Sequence, residues 1–229
     1  MSDQKENKVS IIPEKKTWLR AMVSAIPTVG GALDHLLFDR ADEIRARNIE
    51  ESLKAIDQKL SSIPETILDK TWFESEEALA MFRNMAEKVE FEPDRQKRTS
   101  LANVVAISGT KNFSSDKRKL SVFEHLNRLT FVQMRLLSII GELKPEQKQV
   151  GNEIVQTVNA LWANQIIQAI RQNRYGQFWE GQLNVGLELE VLESLNMISG
   201  VQTIAGGEKA FVMTSLGQEA VKYFKAGNN

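Results

Sequence analysis

The sequence predicts a mostly α-helical protein with one small β-hairpin near its C-terminus. Three observations predict this fold class. Apolar residues recur at spacings of three and four over most of the 229 residues. Proline, glycine and capping residues divide these stretches into separate helices. The helical spacing then stops near residue 197, where two short strand-like segments flank a glycine pair. We expect a flexible tail over 1–12, a helical hairpin over 13–64, a helical bundle over 65–146 and a further domain over 147–229.

Pro13 opens the first predicted helix, over 14–26, and Pro27 ends it before a turn at 28–31. A longer helix follows, with an apolar stripe whose spacings of 4, 3, 4 and 3 are typical of a coiled coil. The stripe consists of Ile49, Leu53, Ile56, Leu60 and Ile63. Charged residues occupy the other faces. The stripe therefore packs either on a helix of the same chain or on a second copy, so Ile49, Leu53, Ile56 and Leu60 are the candidate oligomer or partner interface.

The middle of the chain reads as a bundle of short helices. Pro64 ends the long helix, and Ser75 caps a helix that carries Leu79, Phe82, Met85 and Val89. Pro93 and Asp94 start another helix, which Gly109 ends. Residues 114–116 are expected to cap a helix that carries Leu120, Phe123 and Leu126. Thr130 is expected to cap the next one, which ends before Pro145.

The C-terminal part begins with a predicted helix over 152–174. A second helix carries Leu187, Val191, Leu192 and Leu195. Strands are expected over 197–204 and 209–213, joined by a turn at 205–208. Thr214 should then cap the last helix.

This C-terminal order of helices, hairpin and final helix resembles the winged-helix fold. The resemblance rests on Leu195, Met197 and Ile198, on Gly206 and Gly207, and on Met213, Thr214 and Gly217, which match a (Leu/Met)-Thr-x-x-Gly junction. It implies a recognition-helix position at about 183–196. That stretch carries three glutamates and neither Lys nor Arg, which argues against DNA binding through it because phosphate contacts need cations.

The whole layout also resembles bacterial abortive-infection alpha-type proteins. The residues that carry this second resemblance are Leu101, Ala102, Asn103 and Val104, then Leu126 to Thr130, and then Met134 to Leu137. The resemblance implies a role in phage defence or beside mobile-element genes. It implies no catalytic residues, because the activity of that family is mostly unassigned.

The composition excludes several kinds of chemistry. The chain has no cysteine and two histidines, His35 and His125, which lie far apart in sequence. Disulfides, thiol nucleophiles and cysteine-based zinc or iron–sulfur sites are therefore ruled out. Neither Gly30-Gly31 nor Ser108-Gly109-Thr110-Lys111 completes a phosphate-binding loop. We expect no catalytic site, no metal and no cofactor.

The net charge of −1 conceals two regions of opposite sign. Residues 180–220 carry six acids and one lysine, and residues 93–120 carry seven cations and two acids. The cations of this basic patch are Arg95, Lys97, Arg98, Lys111, Lys117, Arg118 and Lys119. The patch is suited to an acidic partner or a nucleic-acid backbone, or else is a solvated face.

These observations predict a cytoplasmic, non-enzymatic protein that acts through contacts with a protein partner or with itself. Two alternatives stay open. The chain is a DNA-binding regulator if the basic 95–119 region binds duplex DNA. It is a membrane-perturbing effector if the apolar segment 18–38 meets a bilayer, although Arg20, Pro27 and Asp34 disfavour a spanning helix there.

Overall fold

The fold was obtained as a computed structural model, which describes residues 38–144, 149–150, 153–154, 161–172, 184–201 and 209–228. In these ranges the protein is mostly helical and has a small antiparallel sheet, which confirms the predicted fold class in outline. The chain forms two compact units, Met1–Asp116 and Lys117–Asn229. The predicted tail 1–12, the predicted helix 14–26 and nearly all of segment 18–38 lie outside the described residues.

The first unit contains four helices and a 3-10 turn within its described part. They are α1 (Phe38–Ser62), the turn Glu65–Ile67, α2 (Lys70–Phe73), α3 (Glu76–Val89) and α4 (Arg95–Ser108). The predicted cap Ser75 accepts a hydrogen bond from the backbone N–H of Ala78. Asp94 accepts from the N–H groups of Gln96 and Lys97. Both predicted helix starts are confirmed, and Gly109 ends α4 as predicted.

The core of the first unit lies where α1 and α3 pack on α4. Its fully buried side chains include Ile56, Phe82, Met85, Leu101 and Val105. The short helix α2 adds Trp72 and Phe73, whose rings meet edge to face at 5.1 Å. Burial of so many apolar side chains is the main term that holds these helices together.

Asp69 connects α2 to the end of α4. Its side chain caps α2 at Trp72 N–H, and its own N–H donates to the carbonyl of Gly109. A hydrogen bond with Ser114 lowers the pKa of the Asp69 carboxyl, and the bond from Trp72 adds to this. Gly109 lies directly against the Phe73 ring, where a Cβ atom would overlap it.

The second unit begins with α5 (Lys119–Arg128) and α6 (Phe131–Ile140), followed by the two-residue strands β1 (Gln149–Val150), β2 (Glu153–Ile154) and β3 (Leu161–Trp162). Then come α7 (Ala163–Gln172), α8 (Val185–Ser194), β4 (Ile198–Val201), β5 (Ala210–Met213) and α9 (Ser215–Asn228). Helix α9 packs against α5 and α6 and buries Tyr223 and Phe224.

The predicted hairpin is confirmed as β4 and β5. They pair antiparallel from Ile198 with Met213 to Val201 with Ala210. Strand β3 pairs with the other edge of β5, through Leu161 with Phe211 and Trp162 with Ala210. The sheet order is therefore β3-β5-β4.

Thr214 closes the junction between the hairpin and α9. Its hydroxyl lies within hydrogen-bond distance of the carbonyls of Asn196 and Met197 and accepts from Gly217 N–H. Asn196 takes a left-handed conformation, with φ of 58°, where α8 turns into β4. A Cβ atom at Gly217 would overlap the carbonyl oxygen of Met197, so this close approach requires glycine.

Two predicted helix starts are wrong. Helix α5 begins at Lys119 without a side-chain cap, whereas the predicted cap residue Ser114 hydrogen-bonds Asp69 instead. The predicted helix 152–174 begins only at Ala163, because Leu161 and Trp162 form the edge strand that pairs with β5. The Thr130 cap is confirmed, with Gln133 completing a capping box.

Candidate interaction surfaces

The apolar stripe of α1 is only partly available at the surface. Ile56 and Leu60 are buried in the first unit, whereas Ile49 and Leu53 are half-buried. The buried face of α1 also includes Asn48, Ser52 and Ala55. Of the four candidate interface residues, only Ile49 and Leu53 are therefore accessible for a contact outside the unit.

Two buried polar side chains, Asn48 of α1 and Arg98 of α4, hold the loop that joins α3 to α4. Asn48 Nδ2 donates to the carbonyl of Glu90 at 3.0 Å. Arg98 Nη1 donates to the carbonyls of Glu92 and Pro93 at 2.8 and 3.1 Å. Three of the loop's carbonyls thus accept hydrogen bonds from side chains of α1 and α4.

Arg98 also joins α4 to α1 through a carboxylate. Its Nη2 donates to Glu51 Oε2 at 2.8 Å, and Arg95 Nε lies 3.6 Å from the same oxygen. The hydrogen bond from Arg98 lowers the pKa of Glu51, against the opposing effect of burial, and the charge of Arg95 lowers it further. The carboxylate is accordingly held ionised beside the two guanidinium groups.

The loop presents one aromatic side chain that the sequence reasoning missed. Phe91 is 62% exposed. Among the aromatic residues whose side chains the structure describes, it is the only exposed one. Arg45 from α1 lies over its ring, with Cζ 4.6 Å from the centroid. The signal in the sequence was a single phenylalanine between Glu90 and Glu92, just before Pro93 and outside any helical stripe.

The cations of the predicted basic patch differ widely in their surroundings. Arg98 and Lys119 are buried, and Lys97 is largely buried beside Glu92 at 2.8 Å. Arg118 is exposed and pairs with Glu219 at 3.1 Å. Arg95, Lys111 and Lys117 are exposed. The first unit contains Arg95, Lys97, Arg98 and Lys111, and the second contains Lys117, Arg118 and Lys119.

Helix α8 presents an acidic and apolar outer face. Asn184 caps the helix at Leu187 N–H. Leu187 is 55% exposed, and Gly186, Glu190 and Ser194 are exposed beside it. No Lys or Arg occurs from Asn184 to Val201.

The other two glutamates of α8 have partners inside the second unit. Glu188 accepts a hydrogen bond from the buried amide of Gln133 at 2.8 Å. Glu193 accepts from Lys209 Nζ and from Gly200 N–H, and so joins α8 to β4 and to the residue just before β5. The hydrogen bond from Lys209 lowers the pKa of Glu193, although burial acts to raise it. Glu190 is thus the carboxylate of α8 that faces outward.

In the part of the chain that the structure describes, no group of three or more His, Asp or Glu side chains is arranged to hold a metal ion. Among the described helices, none is both long and apolar enough to cross a membrane.

The chain was also compared with protein-family models, with curated proteins and with solved structures, and no match was found in any of the three.

Proposed function

We propose that the chain is a non-enzymatic interaction protein that works by docking a protein partner on the outer face of α8. The observation that carries this proposal is the composition of that face. It exposes Leu187 and Glu190 and has no cation anywhere between Asn184 and Val201.

The topology of the second unit supports treating α8 as the recognition-helix position of a winged helix. Helices α6, α7 and α8 are followed by the hairpin, and β3 pairs beside β5 to give the order β3-β5-β4. The Thr214 and Gly217 junction fits the same pattern, because both residues serve the tight turn into α9. In such a fold this helix is the element that faces a ligand.

The chemistry of α8 favours protein over DNA as that ligand. Duplex DNA carries one phosphate charge per about 1.7 Å, and its binding depends on Lys and Arg contacts. Glu190 would repel phosphates, and an exposed leucine gains nothing from them. An apolar pocket on a partner protein, bordered by Lys or Arg, would accept Leu187 and pair with Glu190.

The biological setting that we propose is phage defence or accessory work beside a mobile element. This part of the proposal rests on the resemblance of the motifs at 101–104, 126–130 and 134–137 to abortive-infection alpha-type proteins. The rival function is a DNA-binding regulator that uses the basic 95–119 region, of which Arg95 and Lys111 are exposed in the first unit.

A titration of the full chain against duplex DNA separates the two. Fluorescence anisotropy at about 50 mM salt should show no saturable binding, because α8 has no cation to contact phosphate. The rival function predicts binding that weakens steeply with salt and is lost in the double variant Arg95→Glu, Lys111→Glu. That second pattern would replace protein docking by DNA binding as the function.

A further inference from the structure

We propose that a second copy of this chain docks on a ridge of the first unit that consists of Asp42, Arg45, Ile49, Leu53 and Phe91. This surface, the Phe91 ridge, gives the protein a homodimer contact. The inference rests on the proposed function in that it names a protein partner, but it uses a different unit of the chain from α8.

The ridge is continuous along one side of α1. Arg45, Ile49 and Leu53 follow at intervals of four residues, so their side chains form one row on the helix. Phe91 extends the row at Arg45 through the contact of its ring with the guanidinium. The adjacent face of the helix carries the buried residues Asn48, Ser52 and Ile56, so the row borders the core of the unit. The half-buried residues Ile49 and Leu53 thus continue the row from Arg45, whose guanidinium contacts the exposed ring of Phe91.

The ridge is held in place before any partner arrives. Phe91 belongs to the loop whose carbonyls at Glu90, Glu92 and Pro93 accept hydrogen bonds from Asn48 and Arg98. A fixed backbone loses little entropy on association, and aromatic and arginine side chains are the ones that most often dominate interface energies. The other aromatic side chains that the structure describes are buried or half-buried, which sets Phe91 apart.

The charges of the ridge favour a second copy over a strongly charged partner. Asp42 and Arg45 lie 3.3 Å apart, so the ridge contains one charge of each sign. A two-fold interface joins the same patch on both copies and must therefore be complementary to itself. Apolar side chains beside one acid and one base meet that condition, because Arg45 of each copy can pair with the Asp42 of the other.

Sedimentation equilibrium of the full chain, from about 1 to 100 µM, tests the contact. We expect a reversible dimer for the wild type. Phe91→Ser should weaken dimerisation about 30-fold, the loss typical of a central interface anchor. Ile67→Ser is the matched control, since Ile67 is an exposed apolar loop residue of the same unit that lies outside the ridge, and it should leave the dimer unchanged. A wild type that stays monomeric, or an equal effect of both variants, would overturn the proposal.

A mixing experiment tests the charge pairing and keeps the proposal separate from effects on folding. Asp42→Arg gives a ridge with two positive charges, and Arg45→Asp gives one with two negative charges. Each variant should be monomeric alone, and an equimolar mixture should form the heterodimer. If each variant dimerises alone as wild type does, the dimer uses another surface, and if the mixture stays monomeric, Arg45 does not pair with Asp42 of the other copy. None of these results depends on Leu187, so this proposal and the docking role of α8 fail independently.

Discussion

Arg98 Nη2 donates a 2.8 Å hydrogen bond to Glu51 Oε2 and so joins α4 to α1. The same guanidinium fixes the loop from Glu90 to Asp94 by donating to two of its carbonyls. Because the Arg98 side chain is only 7% exposed, its charge depends on Glu51 for compensation. This one residue therefore contributes both to the contact between α1 and α4 and to the position of the loop that carries Phe91.

Replacing Arg98 should destabilise the first unit. Arg98→Leu leaves the carbonyls of Glu92 and Pro93 without their donor and removes the partner of Glu51, so the free energy of unfolding should fall by about 2–3 kcal/mol. Arg95→Leu is the control, because Arg95 lies beside the same carboxylate but is 77% exposed. Its effect should stay below about 1 kcal/mol. Urea unfolding at pH 7 measures both, and equal losses would contradict the role given to Arg98.

The Glu51 carboxylate should make the free energy of unfolding depend on pH in the acidic range. Because its pKa is lowered in the folded state, it stabilises the protein fully above its unfolded pKa, and this contribution is lost as the pH falls through the folded value. Glu51→Gln lacks the contribution at every pH. The difference in stability between wild type and variant should therefore shrink as the pH falls below the unfolded pKa of about 4.5 and through the lowered folded value. Unfolding curves over this range measure it, with Glu50→Gln as a control for an exposed carboxylate paired with Lys54. A constant difference for Glu51→Gln would be inconsistent with a lowered pKa.

The junction between the hairpin and α9 should not tolerate a side chain at Gly217. A Cβ atom there overlaps the Met197 carbonyl oxygen, so Gly217→Ala should cost about 2 kcal/mol or more in the free energy of unfolding. Gly186→Ala is the matched control in α8, where a Cβ atom meets only Asn184 Oδ1 at 3.3 Å. Alanine is the better helix former, so this variant should be neutral or slightly stabilising. Thermal unfolding compares the two, and the account fails here if Gly217→Ala is tolerated as well as Gly186→Ala.

The contact between Gly109 and Phe73 should appear as energetic coupling. Gly109→Ala alone places a methyl group in the space that the Phe73 ring occupies, so it should lower the free energy of unfolding by about 1–3 kcal/mol. Phe73→Leu provides space at the same point, so the double variant should lose less stability than the sum of the single variants. A double-mutant cycle from urea unfolding measures the coupling. Strict additivity would mean that the two residues do not press on each other.

Local signals predicted much of the fold. Ser75, Asp94 and Thr130 cap their helices through hydrogen bonds that span two or three residues, so the sequence pattern is sufficient to place them. Strand β3 was missed because Leu161 and Trp162 become a strand by pairing with Phe211 and Ala210, about fifty residues away. A distant partner leaves no trace in the local spacing.

The candidate surfaces were harder to predict for the same reason. The apolar spacing of α1 predicted the stripe but not which of its residues are buried. The inward face of the helix also contains the polar residues Asn48 and Ser52, and Asn48 donates a hydrogen bond to Glu90, in a loop about forty residues later in the chain. Phe91 carried no periodic signal, and its exposure depends on how that loop is held. Charge counting grouped Arg98 and Lys119 with Arg95, although burial separates them.

The most direct test of the central claim, that the outer face of α8 docks a protein, is quantitative affinity capture with the full chain. Wild type, Leu187→Asp and Leu120→Asp are compared, the last being an exposed leucine of α5 in the same unit. We expect a partner protein that wild type and Leu120→Asp retain equally and that Leu187→Asp does not retain. The reason is that a carboxylate cannot enter the apolar pocket of the partner. Capture that is identical for all three proteins would contradict it.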